Sequence, residues 1–118
     1  MGPIDEQAAS ALEKAVAEAI GTLEKGTFNV VFNLRGVTDV SLDARPVLVK
    51  VQKLLATKAK RTAYYDDRPT FRGLALWIAH LAGDPNTKAL GSFEQVQKWL
   101  SEDIERTVHA QQLLGVTK

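Results

Sequence analysis

The seven residues Phe28-Asn29-Val30-Val31-Phe32-Asn33-Leu34 constrain the fold more than any other part of the chain. Five of the seven are apolar, and the adjacent pair Val30-Val31 breaks the in-out alternation of a strand with one wet face. A segment this short and this rich in β-branched and aromatic residues fits a strand covered on both faces. It therefore belongs inside a sheet that has helices packed on it.

The flanking segments supply those helices. Leu12, Val16, Ile20 and Leu23, with Ala8, Ala11, Ala15 and Ala19 between them, repeat at helical spacing behind Asp5, a good N-cap, and the helix is expected to close at Gly26. Val47, Leu48, Val51, Leu54 and Leu55 define a second amphipathic helix over about 44–57, with Pro46 in its first turn and Lys50, Gln52, Lys53 and Thr57 opposite. A short strand follows, Arg61–Tyr65. Asp66-Asp67-Arg68-Pro69 then opens a third helix that runs to Leu81 or Ala82 and is expected to bury Leu74, Leu76, Trp77, Ile78 and Leu81. Gly83-Asp84-Pro85-Asn86 is a turn, and Thr87–Leu90 reads as a short strand. Ser92-Phe93-Glu94-Gln95 is a capping box that starts a helix carrying Phe93, Val96, Trp99, Leu100 and Ile104 on one face. The order α-β-α-β-α-β-α predicts an α/β fold with a small, mostly parallel sheet flanked by helices and joined by right-handed crossovers. One domain over 1–106 is expected, with 107–118 as a tail or an extension of the last helix. Three strands make a thin sheet, so an edge is expected to need a partner, such as a second copy of the chain.

Composition removes several functions. At 118 residues a core can form without staples, and the absence of cysteine excludes thiol catalysis, Cys-type zinc sites, iron–sulfur clusters and disulfides. No apolar run approaches the ~20 residues of a membrane span, so no transmembrane segment is expected, and a cytoplasmic location is. Charge is unevenly laid out: residues 44–90 hold 9 bases and 3 acids, and six bases without an acid lie between Arg45 and Arg61. No nucleic-acid motif accompanies them, so they read first as a solvated helix face and no nucleic-acid partner is expected.

Chemistry in a parallel α/β sheet gathers at the loops leaving the carboxyl ends of the strands. Here these are 35–43 and 66–70. No catalytic set stands out in them. The two histidines, His80 and His109, lie far from Ser41 and from each other, which leaves no Ser/His/acid set and no metal site, and no glycine-rich phosphate loop or other cofactor motif occurs. Asp39, Asp43, Asp66 and Asp67 fall on that edge; they could hold Mg²⁺ for phosphoryl chemistry, but helix capping by Asp43 and Asp67 is the simpler reading. Tyr64, Tyr65, Trp77 and Trp99 read as core or sheet-face aromatics. Arg35, Arg68 and Arg72 stand near the starts of the second and third helices and form a candidate anion-binding set, which would make the chain a carrier or sensor of a small anionic ligand or lipid headgroup.

The stretch Phe32-Asn33-Leu34-Arg35-Gly36-Val37-Thr38-Asp39-Val40-Ser41-Leu42-Asp43-Ala44 and the helix after it resemble the STAS family, the sulfate-transporter and anti-sigma-factor-antagonist domain, and within it the SpoIIAA-like branch. That family has an apolar strand ending in Asp/Asn-Leu, a Gly-Val-Thr-like turn, then Asp-Ser-Ser-Gly opening a helix. Gly2-Pro3-Ile4-Asp5, the strand Lys60–Tyr65 and Gly91-Ser92-Phe93-Glu94-Gln95-Val96 are similar to further family segments, so the resemblance spans about residues 2–102. It implies a non-enzymatic bacterial regulatory module that binds a protein partner, a kinase, an anti-sigma-like factor or another signalling protein. Asp-Ser-Ser-Gly falls on Ser41-Leu42-Asp43-Ala44, so the phosphorylatable serine corresponds to Asp43, where a carboxylate supplies part of a phosphate's charge permanently; Ser41 is a hydroxyl two residues early. The implied partner surface is Thr38, Asp39, Leu42, Asp43 and Ala44 with Arg45, Lys50 and Lys53 of the second helix. The family's first hairpin has no counterpart, which again raises self-association.

Overall fold

A computed structural model describes residues 2–100 and the strand Arg106–His109. In chain order the elements are β1 (Gly2–Ile4), α1 (Glu6–Ile20), β2 (Phe28–Asn33), β3 (Val37–Val40), α2 (Arg45–Lys58), β4 (Arg61–Tyr65), α3 (Pro69–Ala82), β5 (Thr87–Leu90), α4 (Phe93–Leu100) and β6 (Arg106–His109). Every strand pairing is parallel. One sheet has the order β5-β4-β2-β6, and a separate two-stranded ribbon pairs β1 with β3. No helix among the described residues is long and apolar enough to cross a membrane.

The apolar run of β2 does what its composition requires. Phe28, Val30 and Phe32, with Tyr64 of β4, face Leu12, Val16 and Ile20 of α1, Val51 and Leu55 of α2 and Ala75 of α3. Val31, Ala63 and Tyr65 point the other way, onto Val96 and Leu100 of α4. Each fully buried side chain of this size contributes about 1.5–3 kcal/mol. The Phe32 and Tyr64 rings stack with centroids 4.7 Å apart.

Local signals set the helix ends. The Asp5 carboxylate accepts the Ala8 N–H at 2.8 Å and starts α1. Pro69 occupies the first turn of α3, where its missing N–H costs nothing, and Gly83 at φ 70° closes that helix with its N–H turned back to Ala79 and His80. The capping box before α4 forms with one shift: Ser92 Oγ accepts the Gln95 N–H at 3.3 Å, while Gln95 Oε1 reaches back to Gly91 rather than Ser92.

The α/β class holds, and several details of the sequence reading change. Helix α1 ends at Ile20, before Gly21-Thr22, two poor helix formers, and Gly26 instead supplies a positive φ in the turn into β2. The segment 35–43 is not wholly a loop: Val37 and Val40 turn inward and Thr38 and Asp39 outward, so it contains β3, which pairs with β1. Residues 106–109, read as the last residue of the domain and the start of a tail or helix extension, form β6 on the free side of β2. The three-strand sheet is therefore four strands wide, and the partner of the β2 edge lies within the chain. On α3 the apolar pattern over-reads burial. Ala75, Ile78 and Ala79 are buried, but Leu76, Trp77 and Leu81 are each 47% exposed, because α3 is the last of the three helices on its face and has a neighbour on one side only. Ile104 and the end of the fourth helix lie outside the described residues.

Candidate functional site

The carboxyl ends of β2 and β4 are tied together by an ion pair. Asp66, which follows β4, is fully buried, and its Oδ1 accepts both the Arg68 backbone N–H at 2.8 Å and Arg68 Nε at 2.9 Å, while Oδ2 accepts Arg68 Nη2 at 2.6 Å. The hydrogen bond from Arg68 holds the Asp66 carboxyl below its usual range against the opposing effect of burial. Arg68 Nη2 also donates to the Leu34 carbonyl at 2.9 Å, and its guanidinium lies 4.0 Å over the Phe71 ring. One arginine thus joins the end of β2, the end of β4 and the first turn of α3.

The three arginines of the candidate anion set share this edge without converging on a common point. Arg35 leans over the Tyr65 ring at 5.4 Å, on the α4 face of the sheet, and its Nε and backbone N–H go to Asn33 Oδ1. Arg72 Nη1 donates to the Asp66 carbonyl at 2.8 Å. Arg68 lies over Phe71 of α3, where its charge is met by Asp66. The acidic residues are likewise dispersed, and among the described residues no three His, Asp or Glu side chains group as metal ligands.

The loop that resembles the STAS signature is held by short-range bonds. Ser41 Oγ donates to Asp43 Oδ1 at 2.5 Å, the Ser41 N–H to the Ile4 carbonyl at 2.9 Å and the Ala44 N–H to the Ser41 carbonyl at 3.2 Å. Asp43 does not cap α2: the N-cap is Ala44, without a side-chain bond, so the Asp43 carboxylate is occupied by Ser41. The N-cap of α3 is Arg68, and the carboxylate folded over it is that of Asp66, not Asp67. Thr38, Asp39, Leu42, Asp43, Lys50 and Lys53 are exposed, with Leu42 at 78% the most exposed large apolar side chain among the described residues. Arg45 is half-buried. Ala44 is fully buried beneath the ribbon, so it supports the surface from below and offers a partner nothing.

Beneath this edge is a feature with no single motif to announce it. The ribbon and the four-stranded sheet are separate sheets, and the gap between them is a partly open pocket of about 60 Å³. Ile4 and Val37 of the ribbon, Leu48 of α2 and Phe71 and Leu74 of α3 line it, over a floor that includes Phe32. The signal that could have marked it is the pair of inward valines, Val37 and Val40, three residues apart in a stretch otherwise rich in polar residues.

A scan against protein-family models, a search of curated proteins and a search of solved structures each found no match to this chain.

Proposed function

We propose that this chain is a non-enzymatic regulatory module of the STAS type, which docks on another protein through residues 38–43, the outer side of β3 and the turn after it, and the outer face of α2. The observation that carries the reading is Leu42, an apolar side chain held out in solvent by a loop that is itself tied down. Charges of both signs are exposed on the same stretch of chain: Asp39 on β3, Asp43 in the turn after it, and Lys50 and Lys53 one to two turns along α2. An exposed apolar side chain can supply affinity at a docking surface, and charges of both signs on the same stretch of chain and the helix after it can orient a partner.

Asp43 gives the surface its character. A carboxylate at the position of the family's modified serine supplies negative charge there without any modification, which supports a module fixed in one state of a charge-dependent switch. Its bond from Ser41 directs the carboxylate back toward the loop, so the charge is also fixed in place.

Affinity capture from a lysate of the source cells tests the reading, with the wild type set beside Leu42→Ser, Asp43→Ser and Lys53→Glu. All three side chains are exposed, so the variants should fold as the wild type does. A retained protein whose recovery changes with Leu42→Ser and with at least one charge variant is the expected result. Retention unaffected by all three variants removes this surface from consideration.

A further inference from the structure

We propose that the outer face of α2 and α3 docks on an anionic lipid bilayer, with the exposed ridge of α3 in the headgroup layer and the lysines of α2 beside the lipid phosphates. The first observation is what the two helices omit. Neither α2 (Arg45–Lys58) nor α3 (Pro69–Ala82) contains an aspartate or glutamate, whereas α1, on the other side of α2, carries Glu6, Glu13 and Glu18. The bases of α2 are Arg45, Lys50, Lys53 and Lys58, and that of α3 is Arg72. The acids nearest in the chain stand at the helix ends: Asp43 and Asp67 precede the helices, and Asp84 follows α3, where it accepts the Gln52 amide at 2.7 Å.

Contacts fix which sides of these helices look outward. On α2, Lys58 Nζ donates to the Gly21 carbonyl at the end of α1, and Gln52 reaches the other way, to Asp84 and Thr87; Lys50, Lys53 and Thr57 lie between these directions at i, i+3 and i+7, and all three are exposed. On α3, Ala75, Ile78 and Ala79 are buried, and the exposed Gly73, Leu76, Trp77, His80 and Leu81, at i, i+3, i+4, i+7 and i+8, form the opposite ridge. Because α3 packs against α2, an apolar ridge carrying an indole runs beside a lysine ridge. Indole rings favour the headgroup level of a bilayer, and lysines beside them meet its anionic charge. Two features favour a bilayer over a protein here. The ionised side chains on the two helices are of one sign, whereas a protein partner is oriented by complementary charges of both signs. The apolar side chains project from the convex outer side of the last helix of its layer, which suits insertion into lipid rather than the pocketed anchors of a protein interface. This surface shares Lys50 and Lys53 with the docking face above, but it uses α3 in place of residues 38–43 and does not depend on the STAS reading.

Co-sedimentation of the full chain with vesicles of phosphatidylcholine, pure or containing about one-third phosphatidylserine, tests the proposal. The anionic vesicles should bind the chain at least about tenfold more tightly than the neutral ones, and added salt should weaken that binding. Each lysine near such a surface contributes roughly a fivefold gain, so Lys50→Glu with Lys53→Glu should abolish sedimentation; Lys50→Gln with Lys53→Gln, which adds no new charge, should weaken it in the same direction. Lipids brominated on their acyl chains should quench the tryptophan fluorescence, and Trp77→Gln should remove that quenching and weaken binding, which separates Trp77 from Trp99. Leu42→Ser should leave vesicle binding unchanged, so that this surface and the protein-docking face fail independently. No binding to anionic vesicles, equal binding to neutral ones, or quenching that survives Trp77→Gln would overturn the proposal. An acidic amphipathic helical peptide that binds this face when vesicles do not would assign it to a protein partner and overturn it as well.

Discussion

Gln52 is the sharpest place to test how this fold is held together. It is fully buried in α2 and bonds to three segments at once: Nε2 donates to Asp84 Oδ2 at 2.7 Å and to Thr87 Oγ1 at 3.0 Å, and Oε1 accepts the hydroxyl of Tyr64. Gln52→Leu keeps the volume and removes all three. The bond to the Asp84 carboxylate is charge-assisted, worth about 1.5–3 kcal/mol, and the neutral bond to Thr87 about 1 kcal/mol; leaving the Tyr64 hydroxyl buried without its acceptor costs about 1–3 kcal/mol. Part of this is returned by the apolar side chain itself, so the net loss is expected to be about 2–4 kcal/mol. In urea, with m of about 1–3 kcal/mol/M for a chain of this size, the midpoint should fall by roughly 1–3 M without a change in m. Tyr64→Phe in the Gln52→Leu background should recover about 1 kcal/mol, because it removes the orphaned hydroxyl, and the double-mutant cycle should show that coupling. A Gln52→Leu variant within about 0.5 kcal/mol of wild type, or strictly additive double-variant values, would refute this account.

Three further outcomes follow from the same contacts. Because Arg68 holds the Asp66 carboxyl below its ordinary value, the pair's contribution is present above that value and is lost as pH falls through the lowered one; Asp66→Asn should start less stable at neutral pH and show a flatter acid limb, read by urea midpoints from pH 7 downward. Tyr64 behaves in the opposite sense: burial, and then the nearby Asp84 charge, raise its hydroxyl above the ordinary value of about 10, so its contribution is intact below that pH and declines above it, and Tyr64→Phe should remove that alkaline slope. Trp77→Gln should change stability by less than about 0.5 kcal/mol and lower the iodide-quenchable part of the fluorescence; a loss above about 1.5 kcal/mol would mean that the α3 face is covered.

What could be read from the sequence was whatever a single segment encodes. The run Phe28–Leu34 carries its burial on both faces in its own composition, and Asp5, Pro69, Gly83 and Ser92 mark helix ends through bonds that reach only a few residues. The ribbon was not legible, because a three-residue and a four-residue strand have too few positions for a period and exist only through pairing with each other. Leu76, Trp77 and Leu81 were misjudged for a related reason. Periodicity reports which residues are apolar, whereas burial depends on how many neighbours a helix has, and that is decided by strand order. At the candidate site, Arg35, Arg68 and Arg72 were found near the strand ends as expected, but their separate partners follow from side-chain directions that spacing does not record. Asp66 shows the same limit: Asp66-Asp67 looks like a capping pair with Asp67 next to the helix, and only the buried carboxylate of Asp66 meets the arginine.

The pairing of β6 with β2 joins residues about 80 positions apart in the chain, with Phe28 beside Arg106 and Val31 beside His109. On the ribosome, β2, β4 and β5 and the helices between them are made long before the strand that covers the other side of β2. Until residues 106–109 emerge, the most apolar strand of the protein presents an open row of backbone donors and acceptors, the arrangement most prone to joining with another chain. The sheet thus receives its last strand beside its first, and the pairing of 106–109, rather than assembly of the helices, is the step at which the apolar strand β2 is covered on both sides.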